Sequence, residues 1–257
     1  FLGTEFSLDI PVFVRRRQEP SFTRSERGVG LLLSRDLGGG FSLITGYQLR
    51  RDDIAASQTV LAPVAQPANL RVATATLEPR FDSRNDFFNP SDGQLAWIRF
   101  EFADPALGSD VGFYRVQAEW STYAALGSDT VLALGARSGF IVPGRDTRTV
   151  PLQERWFNGG EDTVRAFRES QIGPSDPFGQ PVGGEGRNIV NVELRQRLSG
   201  NLHGALFVDA GNVAFDASDY FDGFRWGPGA GLRYILPIGA IRLDFGWNAN
   251  RQRGENG

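Results

Sequence analysis

The chain has 257 residues, 12% aromatic residues, 32 Gly, no Cys and no Met, and a formal net charge of -3. Its mean hydropathy is -0.27, and no run approaches the ~18 apolar residues of a membrane helix, which excludes helical spans but leaves a β-barrel open, because barrel strands alternate and average out as polar. The acidic balance argues against a nucleic-acid binder, and the lack of cysteine excludes disulfides without identifying a compartment.

In chain order, period-2 alternation between turn signals predicts strands near 4–16, 24–36, 40–52, 69–81, 93–103, 111–124, 130–141, 187–198, 203–213, 225–236 and 240–249. Gln94 to Phe102 sets Ile98, Phe100 and Phe102 against Arg99 and Glu101. Phe113 to Thr122 sets Tyr114, Val116, Ala118 and Trp120 against Arg115, Gln117 and Glu119. Asn188 to Arg197 opposes Val190, Val192 and Leu194 to Asn191, Glu193 and Arg195. Ile241 to Asn248 opposes Ile241, Leu243, Phe245 and Trp247 to Arg242, Asp244 and Asn248. A soluble sandwich alternates too. Here, however, the polar faces mix Arg, Glu, Asp and Gln with Gly and Ser, as a wet lumen would. The apolar faces are aromatic, with Trp97, Trp120 and Trp247 assigned to them, as at a lipid interface.

The fold class expected is therefore all-β, a transmembrane antiparallel β-barrel. Each segment reaches the ~9–11 residues a tilted strand needs to cross a bilayer. About eleven strands is odd for a bacterial single-chain barrel, and an open edge in lipid is costly. The expectation is a partial barrel domain over 1–257. The absence of Met and of a basic, apolar leader points the same way, toward an internal piece of a longer chain. All 27 basic residues are Arg. GC-rich coding bias is the favoured reading, with selection for rigid bidentate pairing in a lumen as the alternative.

Turns near Leu37–Gly40, Ser199–Asn201 and Pro237–Gly239 are short, and those over 53–68, 142–186 and 214–224 are longer, the outer-membrane pattern of short turns on one side and long loops on the other. Gly38-Gly39-Gly40 has no following Lys-Ser/Thr or helix, so it reads as a turn and not a phosphate cradle. Asp82, Arg84 and Asp86 mix carboxylates with arginine, which predicts ion pairs rather than a metal site. His203, the single histidine, starts a strand without a triad or metal partner and reads as structural. No nucleophile has a base, so no enzymatic activity, cofactor or metal is expected. Residues 142–186 form the longest stretch without alternation. Loops of that length are functional or disordered, and Trp156, Phe157, Val164 and Phe167 argue against disorder. Glu161 and Asp162 read as solvated loop charges.

Three features together resemble the BamA/TamA superfamily of outer-membrane assembly factors, also called the bacterial surface antigen family. Gly159-Gly160 through Val164-Arg165-Ala166-Phe167 is similar to its Val-Arg-Gly-Phe/Tyr signature. Phe207-Val208-Asp209-Ala210-Gly211 is similar to its Phe-x-Asp-x-Gly strand, and Gly183-Gly184 leading to Asn188 and Glu193 to the strand between them. The tail from Gly239 to Asp244 resembles the penultimate strand, and Asp82-Ser83-Arg84 with Pro90-Ser91-Asp92-Gly93 extends a more general likeness upstream. The resemblance implies a barrel of about sixteen strands preceded by soluble POTRA domains, with this chain as about strands five to fifteen. The first four strands, the last strand and the POTRA domains would lie outside it. It also implies an inward-folding loop over 142–186 whose Arg165 meets Asp209. Parity agrees with the wall side of that pairing. Asp209 shares a face with Phe207 and Gly211, opposite Leu206, Val208 and Ala210, which suit lipid, and Glu193 faces the lumen by the same argument. The expected lock is Val164, Arg165, Ala166, Phe167, Asp209 and Glu193, with Gly159, Gly160, Phe207 and Gly211 shaping it. One departure is plain: the signature glycine is Ala166. A positive φ there would strain alanine, whereas a need for a small residue would not, and the second reading is favoured.

The function the resemblance implies is outer-membrane β-barrel assembly and insertion in the bacterial outer membrane. A lateral seam would template incoming strands and thin the bilayer. Partners would be unfolded outer-membrane β-barrel substrates, the lipid bilayer, and periplasmic or outer-membrane accessory proteins, with no nucleic acid. A two-partner secretion transporter of the same superfamily, a passive porin and a soluble β-structure stand as alternatives.

Overall fold

The computed structural model describes residues 6–56, 69–145 and 147–249. Its strands are β1 (Phe6–Asp9), β2 (Val12–Gln18), β3 (Phe22–Gly38), β4 (Phe41–Ala56), β5 (Asn69–Asp82), β6 (Gly93–Ala103), β7 (Phe113–Ala125), β8 (Thr130–Pro143), β9 (Gly186–Ser199), β10 (Leu202–Ala214), β11 (Arg225–Leu236) and β12 (Gly239–Gly246). They form one antiparallel sheet in which β3 to β12 follow chain order and both β1 and β2 pair with β3. β1 and β2 occupy one wall position, broken at Ile10 and Pro11. Proline has no N–H to give the ladder, while its carbonyl still accepts the Gly30 N–H at 2.9 Å. By wall position the sheet therefore has the eleven strands expected. Among the described residues no pairing joins β12 to β1 or β2.

The two faces separate as the alternation predicts. On β10, Leu206 is 62% exposed on the outer face, while Phe207 and Asp209 on the inner face are 3% and 0% exposed. Trp120 and Trp247 are exposed with the outer set. Trp97 is a correction. It shares parity with Arg99 and Glu101, lies opposite Arg80 and Glu119, and sits beneath the Arg99 guanidinium at 5.3 Å. Side-chain period is two, so register assigns it to the lumen whatever its apolarity suggests.

Between β8 and β9, the described residues 144–145 and 147–185 form a segment seated against the inner face. It contains a 3-10 turn at Leu152–Glu154 and isolated bridges Trp156 to Gly184, Asn158 to Ile172 and Ser175 to Pro181. Two apolar seats hold it. Val150 packs with Leu70, Val72, Ala103, Phe113 and Ile141. Val164, Phe167 and Ile172 form a second cluster flanked by Ala166. Burying these side chains, at roughly 1.5–3 kcal/mol each, offsets the entropy of ordering a long loop.

Candidate functional site

Arg165 leaves the loop tip and reaches three strands, β9, β10 and β12. Its Nε and Nη2 donate to Asp209 Oδ2 and Oδ1 at 2.7 and 2.8 Å, a bidentate fork, and its backbone N–H donates to Oδ2 at 3.1 Å. Nη1 donates to Glu193 at 2.6 Å and to Asp244 at 3.2 Å. Arg233 of β11 links the same two carboxylates, at 2.6 Å to Glu193 and 2.8 Å to Asp244, and Arg195 donates to Glu193 at 2.8 Å. Asn191 donates to Asp209 at 2.7 Å and to the Thr163 carbonyl at 2.8 Å. Three arginines thus meet three carboxylates, so the cluster is neutral, which is how so many charges tolerate burial together. Burial would lower the proton affinity of the Arg165 guanidinium, but Asp209 and Glu193 outweigh it and raise it.

The loop tip fits because its neighbours are small. The Arg165 guanidinium lies 3.4 Å from the centre of the Phe207 ring, and Phe207 in turn rests on Gly229, where a Cβ would come within 2.2 Å of the ring. Ala166 packs into a notch between β11 and β12. A Cβ on Gly227 would stand 2.3 Å from the Ala166 Cβ, and one on Gly246 would stand 2.7 Å from its backbone. Ser170 is the one non-glycine residue described with positive φ, so Ala166 serves by size and not by a left-handed backbone. Gly159 and Gly160 do need φ of 108° and 102°; there a Cβ would strike the Arg168 carbonyl at 2.4 Å and the Glu169 carboxylate. Gly211 leaves room for Asn158, whose amide donates to the carbonyls of Asn188 and Asn212 at 3.3 and 3.2 Å.

A second group, absent from the sequence reading, holds the other end of the loop. Glu154 is 3% exposed. It accepts from Arg115 of β7 at 2.7 Å, from Arg24 of β3 at 3.4 Å and, closely, from Arg50 of β4. The Gln153 and Glu154 carbonyls accept from Arg24 and Arg115 at 3.0 and 2.9 Å. Burial pushes the Glu154 carboxyl up, but Arg50, Arg115 and Arg24 outweigh it and hold it at about 2. Polarity reverses between the two ends. At Arg165 the loop brings the cation to wall carboxylates; at Glu154 it brings the anion to wall arginines.

The remaining candidates fall elsewhere. Asp162 is largely exposed, with only a 3.7 Å approach to Arg242, and Glu161 is exposed beside it. Arg84 pairs with Asp82 at 2.7 Å, and Asp86 caps the turn by accepting from the backbone N–H groups of Phe88 and Asn89. His203 faces the Asn201 carbonyl at 3.2 Å. Among the described residues no cluster has metal-ligating composition.

The chain matches the Omp85 superfamily domain over residues 1–257. It belongs to the Omp85 superfamily. This Omp85 chain is 24% identical over 257 residues to the outer membrane protein assembly factor BamA of Nitratidesulfovibrio vulgaris, covering 97% of itself and 32% of that protein. It is 32% identical over 187 residues to sorting and assembly machinery component 50 homolog B of Xenopus laevis, covering 65% and 38%. Among solved structures, BamA from Haemophilus ducreyi lacking POTRA domains 1–3 aligns with a TM-score of 0.81 at 19% identity, over 97% of this chain and 56% of that one. CdiB from Escherichia coli aligns at 0.65 and 15% identity, over 96% and 47%. At these identities the structural likeness is one of fold. The Omp85 chain spans about a third of the length of the curated relatives it matches and is an outer-membrane β-barrel segment.

Proposed function

We propose that the Omp85 chain is the barrel-wall portion of an outer-membrane protein assembly factor, and that Arg165, Asp209 and Glu193 lock its long loop into the lumen. The observation that carries this reading is the bidentate Arg165–Asp209 pair at 2.7 and 2.8 Å, joined by Glu193 and Asp244, which fixes the loop tip to β9, β10 and β12. A rigid wall there leaves the seam outside β12 as the deformable part, where an incoming strand can pair with an exposed edge. The protein does no covalent chemistry in this reading. Unfolded outer-membrane β-barrel chains, the bilayer and accessory assembly proteins are its partners.

In the full-length protein, Arg165→Ala and Asp209→Ala should each impair outer-membrane protein assembly in a depletion strain. Arg165→Lys, which keeps the charge but loses the fork, should fall between them and the wild type. Wild-type assembly by both alanine variants would sink the lock.

A further inference from the structure

The outer wall carries a row of arginines that the lumen network does not use. On β3, β4 and β5 the outward residues Val29, Leu49 and Ala73 lie side by side in register. Ala73 is fully buried, and beside it the Tyr47 hydroxyl donates to the Leu107 carbonyl of the 104–112 connection at 2.7 Å. In the next outward row Arg27 faces Arg51, and Arg51 faces Arg71. Arg16 of β2 stands one row beyond, opposite Ser25, in line with Asp53. All four arginines are exposed. Like charges directly opposed across a ladder are destabilising, so a row of three requires counter-charge. Arg71 has Asp110 at 3.3 Å. Neither Arg27 nor Arg51 has a carboxylate partner among the described residues, and the sequence of 57–68 contains no acidic residue. Four arginines therefore stand against Asp53 and Asp110 on this patch.

Its height on the wall says what supplies the missing charge. β3 and β4 have 17 and 16 residues, well beyond the ~9–11 that cross a bilayer. On β3 the exposed Val29, Leu31 and Leu33 lie just below Arg27, and on β4 the Tyr47 bond to the 104–112 connection lies just below Arg51, so the arginine row stands at or above the edge of the apolar wall. It lies toward the 104–112 and 144–185 connections, the long-loop side that faces outward in such barrels. At that level the groups facing the wall are lipid headgroups. Guanidinium pairs with phosphate through its fork, while its stem covers the apolar rim below.

We propose that Arg16, Arg27, Arg51 and Arg71 form a binding site on the outer wall for the phosphate of an anionic lipid headgroup in the outer leaflet. The site rests on the chain's place in the outer membrane and not on its role in assembly. It would fix the depth and rotation of this part of the wall in the bilayer.

The test uses the full-length protein in detergent. It is titrated in turn with phosphatidic acid, phosphatidylcholine and inorganic phosphate, and retained ligand is read by native mass spectrometry. The wild type should retain phosphatidic acid over phosphatidylcholine. Arg27→Gln and Arg51→Gln should each weaken retention about fivefold, as expected for ~1 kcal/mol per basic residue at a lipid surface. Arg27→Lys with Arg51→Lys should keep most of it. The glutamine variants relieve a like-charge row, so they should fold and shift on gels as the wild type does, which separates lost binding from lost folding. Equal retention by the wild type and the double glutamine variant would overturn the site, as would no preference over phosphatidylcholine. Inorganic phosphate binding as strongly as the lipid would overturn the headgroup as its ligand. Assembly activity is a separate readout, so failure here leaves the loop lock standing, and the reverse.

Discussion

Arg165 differs from an exposed arginine because the carboxylates it meets are themselves buried. Asp209 is fully buried and Glu193 nearly so. Removing one partner of such a set strands the other, at a cost of ~3–5 kcal/mol. Arg165→Ala should therefore free the tip of the 144–185 segment, seen as faster proteolysis of that segment within a barrel that still resists digestion. Unchanged protection would show that the apolar seat alone holds it. Ala166 sets a narrower test. Gly227 and Gly246 leave space for one methyl and no more, so Ala166→Val should overpack by ~1–3 kcal/mol and lower the temperature of unfolding in a heat-modifiability gel. Ala166→Gly should stay close to wild type, since no left-handed φ is at stake in either direction. The Arg165–Asp209 pairing was legible in the sequence through strand parity and the motif resemblance. The notch for Ala166 was not, because Gly227 and Gly246 become its neighbours only when β11 and β12 pair.

As an element, the 144–185 segment is a strut with a cation at one end and an anion at the other. Glu154 escaped the sequence reading for a physical reason. Loop residues lack periodicity, and its partners Arg24, Arg50 and Arg115 lie 130, 104 and 39 residues away. Its chemistry gives a signed prediction. A carboxyl held at about 2, against an ordinary 4.5, contributes stability that is fully present above 4.5 and is lost as pH falls through about 2. The Leu152–Glu154 turn should thus resist hydrogen exchange from neutral pH into moderate acid and open only near the bottom of that window. Glu154→Gln should open it at neutral pH and flatten the dependence there. A turn equally protected in the variant would remove Glu154 from its anchoring role. The broken first strand is a smaller lesson of the same kind. Alternation marked one strand over 4–16, of which residues 4 and 5 lie outside the described range, and Pro11 divides the rest into β1 and β2.

At the scale of the molecule, the sheet has eleven wall positions and two edges without mutual pairing among the described residues. Unpaired strand edges are not tolerated in lipid. The 257-residue chain by itself, refolded into detergent, should not give a closed monomeric barrel with heat-modifiable migration. A stable monomer of that kind would mean that the two edges meet. Sequence determined the strands and the two faces, because period-2 alternation and turn chemistry are local, and its motif resemblance carried the outer-membrane class. It also placed Asp209 and Glu193 inside, since parity along a strand is fixed by the pleat. Tertiary structure decided what those faces hold: the neutral cluster through Arg233 and Asp244, the Glu154 anchor, Trp97 on the lumen side and the Arg27–Arg51–Arg71 row outside. Each depends on register between strands far apart in sequence or on a loop crossing the lumen, and neither is encoded in any local window of residues.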